Sequence, residues 1–434
     1  MTTYPWFGRE NAVAEKIKLV LGSLILLVFL PYVAFQVAAC TLWEFLDRKT
    51  IRMLHWCRKF SDWCGPKFHK AGYVARECDG FMVPVGIWLG VCLPAWFFYE
   101  LWRAATVGFE WQRVVVYNLC RIGPMYFNFM YVYVLAHKEG HTGGYSLYTK
   151  PKIAGIPVFR QWFNGWIGSF HGVLPAAFPY SHNYNHHKYD NNQYDIICTA
   201  YRPRDSFKAW TTYLTEWMAY ATNLSSIGAF LEEGAYGHAF WMTVWTAWYC
   251  LFVYLCWQMH GLFTFCTIIY ALVEGNILLS AVNWTWHAFI DPNDPQNDYI
   301  NSITIIEGLN FTLGEEYHAV HHQYAGMHWT KNTELFEKHK DGYTAKGMVP
   351  CVFYKCNIFE LWGNIVFKNY DGVANYFHEP YSQGKSKKEL AELMKMRLQT
   401  HGPEIAKLQG KRGQVKVVRD GRDVTGDAHF QARE

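Results

Sequence analysis

The sequence predicts an all-α integral membrane protein, with four membrane-spanning helices from residue 81 onward and one further apolar helix before them. Three observations carry this reading. Hydrophobic residues make up 51% of the 434 positions and charged residues only 18%, a composition that argues against disorder and against a solvated helical rod. The apolar residues come in blocks that a mean hydropathy of −0.09 averages away. Several blocks approach the roughly 20 residues needed to cross a hydrocarbon core. The formal charge of +4 is too small to point to a nucleic-acid partner.

The first block, Leu19 to Cys40, carries no charge. It is either a crossing or a re-entrant hairpin bent near Pro31. Residues 1–18 are too mixed for a signal peptide, and no small-residue cleavage pattern follows. The loop at 41–80 holds Arg48, Lys49, Arg52, Arg58, Lys59, Lys67, Lys70 and Arg76, whereas the loop at 99–113 holds only Arg103 and Arg113. By the positive-inside bias, 41–80 is expected to be cytoplasmic.

The second block is Phe81 to Phe98, and the third is Val114 to Leu135, interrupted by Arg121 beside Gly123-Pro124. Ala239 to Met259 and Leu262 to Trp286 read as a second hairpin, the latter holding only Glu274, a candidate partner for Arg121. Four spans from 81 place the later polar segments in the cytoplasm. The chain therefore divides into an N-terminal hydrophobic segment with a basic loop (1–80), a membrane domain (81–380) and a polar, basic tail (381–434). The tail is expected to be partly disordered, with a weak helical pattern at 387–398. The twelve cysteines show no C-x-x-C spacing and read as free thiols.

Nine of the 19 histidines fall in four places. They are His137-Lys-Glu-Gly-His141, His182-Asn-Tyr-Asn-His186-His187, Asn283-Trp-Thr-Trp-His287 and His318-Ala-Val-His321-His322. An i, i+4 spacing puts two imidazoles on one helix face, within reach of one cation. A His-His step adds a ligand about 100° further round, suited to a neighbouring metal. Asn276, Ser280, Asn283 and His287 form one polar stripe on the last span, which in a membrane marks a functional face. Imidazole suits iron, zinc and copper rather than magnesium or calcium. Nine imidazoles fit two metals of four or five ligands each. Zinc hydrolysis uses few ligands and an open position, whereas this many neutral ligands suit a redox di-iron centre able to use O₂ on an inert C–H bond.

These four boxes resemble those of the membrane fatty-acid desaturase and hydroxylase superfamily. Asn283-x-x-x-His287 and Gly314-Glu-Glu-Tyr-His318-Ala-Val-His321-His322 are similar to elements of the acyl-CoA desaturases. The resemblance covers roughly residues 81–330. It implies a four-helix stem under a cytoplasmic helical cap that holds two iron ions. Their ligands would be His137, His141, His182, His186, His187, His287, His318, His321 and His322, with Asn283 acting through a water. It also implies a lipid acyl substrate, O₂ and external electrons, and a double bond as product. Because no H-P-G-G haem motif is present, a separate donor of cytochrome b or ferredoxin type is expected. The endoplasmic reticulum is the expected site in a eukaryote. Boxes one and two each have three intervening residues, where acyl-CoA desaturases have four and two. Hydroxylation on the same centre is the alternative outcome. A histidine-gated metal transporter is a remote one, since it would bind near mid-bilayer and these boxes lie beyond the span ends.

Further residues are candidates for supporting roles. Glu315 or Glu316, and more weakly Asp190 and Asp195, could hold ligand imidazoles from behind. Arg202, Arg204 and Lys208 could meet a substrate phosphate, although a juxtamembrane basic patch is the plainer reading. His171, His328, His339 and His378 read as ordinary histidines. An acyl tunnel is expected to be lined by aromatics from 162–178 and from the spans.

Overall fold

The computed structural model describes residues 9, 11–46, 53–74, 76–123, 126–141, 152–153, 156–157, 161–308, 312–409, 418–419 and 422–423. Arg48, Lys49 and Arg52 of the basic loop that sets the expected orientation fall outside these residues, as does the tail from 410 apart from two short stretches.

The described residues are mostly helical. Helix α1 (Ala12–Leu46) is continuous across Pro31, so the first apolar block is not a hairpin. Helix α2 (Met53–Lys70) follows, and α3 (Glu77–Thr106) is the second long apolar helix. The third apolar block is not one span. It forms α4 (Trp111–Ile122) and α5 (Phe127–His141). Gly123 ends α4 with φ at +77°, a conformation that glycine adopts without a Cβ penalty. Asn128 then ties the corner by donating from Nδ2 to the carbonyl of Cys120 at 2.7 Å.

Two short segments follow, α6 (162–171) and α7 (177–189), both beginning with π-helical winding. Then come α8 (Phe207–Ala221), α9 (Leu224–Glu232), α10 (Tyr236–Met259) and α11 (Gly261–Trp286). Among the described residues, four helices are long and apolar enough to cross a membrane: Ala12–Trp43 within α1, then α3, α10 and α11. Their outward faces carry Leu27, Val28, Trp88, Val91, Trp241, Leu251, Tyr254 and Trp257, all exposed. Such faces are stable against lipid tails, and the tryptophans suit the interface. The protein is an all-α integral membrane protein.

Helix α11 is the most enclosed of the four, with 67% of its most apolar window buried against 17% for α1. It carries the polar stripe. Part of the chain's 18% aromatic content packs in a stem core in which Phe97 meets Phe170, Phe252 and Phe263. Arg121 of α4 and Glu274 of α11 pair inside the stem, as their isolated charges suggested. Close packing also docks α1 on α8, where Gly22 lies so near the Thr211 carbonyl that a Cβ would overlap it.

Beyond the stem, Thr304–Ile306 pairs in parallel with Val352–Tyr354. The amide of Ile305 donates to the Glu316 carbonyl at 2.8 Å, which fixes the approach to α12 (His318–Gln323). Helix α13 (Ile358–Val366) packs on α11. The tail departs from its expected character through residue 409. Helices α14 (Lys387–Gln399) and α15 (Pro403–Gln409) pack on the cap, with Leu390, Met394 and Leu398 buried. Arg204 donates to the Arg397 carbonyl at 2.9 Å, so 381 is not a break in packing.

Candidate metal centre

The four histidine boxes arrive from four directions. Box one ends α5, box two lies in α7, box three closes α11 and box four forms α12. Their nine histidines gather into two groups. His137, His141, His182, His187 and His321 form one, and His186, His287, His318 and His322 the other. Within each group the ligating nitrogens lie within 4.8 Å of one another.

Box two differs from the helical expectation, which paired His182 with His186 and sent His187 to the neighbour. Residues Ala177–His186 wind as a π-helix. The i→i+5 register swings the fifth residue back toward the face of the first, where an α-helix would carry it well round the axis. His182 and His187 therefore share a group, with Nε2 atoms 2.9 Å apart. The α-helical boxes keep the i, i+4 pairing. His137 and His141 approach to 2.9 Å, and His318 and His322 to 3.0 Å. Contacts between boxes are similar, with His321 3.2 Å from His187 and His318 3.2 Å from His287.

The second nitrogen of several rings is held from behind. His186 donates from Nδ1 to Asp195 at 2.8 Å, and the Nδ1 atoms of His322 and His137 lie 3.0 Å from Asp190 and 3.2 Å from Glu315. His287 donates from Nδ1 to the Asn301 carbonyl at 3.2 Å. A carboxylate or carbonyl accepts only, so the proton sits on Nδ1 and a lone pair on Nε2. Lone pairs that converge at about 3 Å repel unless a cation lies among them. Metal–nitrogen bonds of about 2.0–2.1 Å place neighbouring nitrogens at right angles about 3 Å apart, which matches the spacing here. The buried Nε2 of His186 has no hydrogen-bond partner among the described residues. The residues thus fit a pair of metal ions.

Electrostatics agree. Burial pushes the imidazoles of His182, His187, His318 and His321 well below their ordinary value, toward the neutral form that binds metal. Burial would raise Glu315, but His137 and Lys138 outweigh it and hold this carboxyl below the usual range. Glu316 has no such cation, and burial pushes it up to about 8.

A mainly apolar cavity meets the five-histidine group at His137 and His182. Its aromatic walls come mainly from Phe129 and Tyr133 of α5, Trp217 and Tyr220 of α8 and Trp286 of α11. Of the aromatics at 162–178, only Phe178 lines it. Asn276 and Asn283 of the polar stripe also face it. Asn283 donates from Nδ2 to the Tyr213 hydroxyl at 2.8 Å, and Asn276 accepts from Trp217 at 3.0 Å.

Arg202 and Arg204 are not a phosphate site. Arg202 is buried against Glu15 and Glu216, and Arg204 donates to backbone carbonyls, including that of Ala288 at 2.9 Å. His328 bonds Asp79 at 3.0 Å and His339 meets the Tyr324 hydroxyl at 2.7 Å, both away from the two groups. Sequence reasoning passed over Glu139, which lies between the two box-one histidines. Its carboxylate accepts from the amides of Trp162, Phe163 and Asn164 at 2.8–3.0 Å and so anchors α6 against α5. No spacing rule marks such a residue.

A family model described as fatty acid desaturase matches residues 110–352, a stretch that contains all four boxes. No curated protein and no solved structure matches the chain.

Proposed function

The chain belongs to the fatty acid desaturase family, and from that premise we propose that it desaturates lipid acyl chains at a di-iron centre held by the nine histidines. The observation that carries the proposal is the convergence of two imidazole groups, five and four strong, the larger of which meets an apolar cavity at His137 and His182. Bound there, two irons would supply the O₂ chemistry that no side chain can. The net reaction removes one hydrogen from each of two adjacent carbons. With O₂, two electrons and two protons it yields a double bond and two waters.

The chain's own residues provide the setting. His137, His141, His182, His187 and His321 would hold one metal. His186, His287, His318 and His322 would hold the other, with Asn283 reaching it through a water. Asp195, Asp190 and Glu315 fix the tautomers of three of the rings. The apolar walls keep water from the reacting carbons and hold the chain extended against His137 and His182. The electrons come from a separate donor of cytochrome b or ferredoxin type. The active site faces the cytoplasm, in the endoplasmic reticulum if the source is a eukaryote.

The test is lipid mass spectrometry on a host expressing the chain. New double bonds are expected, and His186→Ala or His321→Ala should abolish them while the protein still accumulates. Label from ¹⁸O₂ retained in the lipid would instead choose hydroxylation. Full activity of both variants would refute the ligand assignment.

A further inference from the structure

The cavity is asymmetric about the metal groups. On one side its lining follows α5 from His137 back to Phe129 and α11 from Trp286 back to Asn276. At 1.5 Å per residue these stretches extend about 12 and about 15 Å. That arm ends among Gly172, Val173, Trp217, Tyr220 and Ala221, all buried. On the other side the lining is short and polar, formed by Thr312, Glu315, Glu316 and Asn357. Glu315 bonds His137, and Glu316 stands two residues before His318. Glu316 and Asn357 are only partly exposed. The cavity thus has a closed apolar arm and an accessible polar end set against the metal groups.

The polar end offers no basic side chain of Lys or Arg among the described residues. Its lining carries two carboxyl groups. Lys138 is taken up by Glu315, and Arg202 and Arg204 are buried in other bonds. A phosphate or carboxylate placed there would find no cation to pair with among the described residues, which is strongly unfavourable in a desolvated site. A hydroxyl or amide N–H would instead find acceptors.

We infer that the cavity takes a lipid with an uncharged hydroxyl or amide head seated at Thr312 and Glu316, and that the reacting carbons lie close to that head. The inference rests on the proposed reaction for its second half only. A substrate oxidised at mid-chain would need a long apolar channel on both sides of the metals, and the described lining supplies one.

Equilibrium binding of radiolabelled lipids to the full-length protein in lipid nanodiscs tests the head group without turnover. The probes are N-hexadecanoyl ethanolamine, hexadecanoic acid and hexadecanoyl-CoA. The ethanolamide should bind about tenfold tighter than either anion. Thr312→Val and Glu316→Leu should each weaken it several-fold with metal content unchanged, and Glu316→Gln should restore binding. Anions that bind as tightly as the ethanolamide, or binding that is unchanged in Glu316→Leu, would overturn the inference. The position of oxidation in a bound lipid tests the second half. A change within the first few carbons supports it and a mid-chain change overturns it. Tight ethanolamide binding with no lipid oxidised would leave the head-group site standing and refute the proposed reaction instead.

Discussion

His182 and His187 are five residues apart, yet their Nε2 atoms lie 2.9 Å from each other, while His186 between them joins the opposite group. The π winding of Ala177–His186 produces this arrangement. One short segment thereby supplies ligands to both candidate metals and sets them side by side. π turns concentrate at functional sites for this kind of reason: the extra residue re-aims side chains that an α-helix would leave on another face.

The groups behind the imidazoles should set metal affinity. Asp195 also accepts from the amides of Asn191 and Ile197, at 2.8 and 2.9 Å, so it is rigid before any metal arrives. Asp195→Asn, Asp190→Asn and Glu315→Gln should each lower affinity for ferrous iron by about 10–100-fold. Metal titration of the purified protein checks this. Unchanged affinity in all three would mean that the carboxylates do not orient the ligands.

The closed arm of the cavity should limit acyl length. Ala221 lies at its buried end. Ala221→Phe fills space there and should shift the products toward shorter chains, read by lipid profiling of the expressing host. A product distribution identical to that of the parent would place the acyl chain elsewhere.

Glu216 ties the start of the chain to α8 by pairing with Arg9, Lys18 and Arg202. Burial alone would raise its pKa, but Arg202, Arg9 and Lys18 outweigh burial and hold it below the usual carboxylate range. A carboxyl lowered on folding contributes stability above its unfolded value of about 4.3, and that contribution is lost as pH falls toward the folded value. Thermal unfolding in detergent should therefore show less acid sensitivity for Glu216→Gln than for the parent. Arg202→Ala breaks a buried pair and should cost about 3–5 kcal/mol at neutral pH. Equal pH profiles for parent and Glu216→Gln would show that the network is not coupled to folding.

That the nine histidines gather was legible because imidazoles four residues apart share one helix face. The apolar blocks were legible because a bilayer demands length. Other features lay outside those signals. Gly123-Pro124 is a turn signal inside an apolar run, and the structure resolves the conflict in favour of the break. The box-two pairing depends on hydrogen-bond register, which residue spacing does not encode. The basic character of Arg202 and Arg204 suggested an anion site, but their acceptors come from Glu15, Glu216 and distant carbonyls. The helix at Lys387–Gln399 was visible as a pattern, while its docking was not, because the surface it covers is built from the loops around Arg204 and Ile290.

The most direct test of the two-group centre is iron titration of paired box-two variants. The parent should bind two irons per chain. His182→Ala/His187→Ala takes both ligands from one group and should leave one tight site. His182→Ala/His186→Ala takes one ligand from each group and should weaken both sites. A tight site kept in the second variant and lost in the first, or a parent that binds fewer than two irons, would contradict the account.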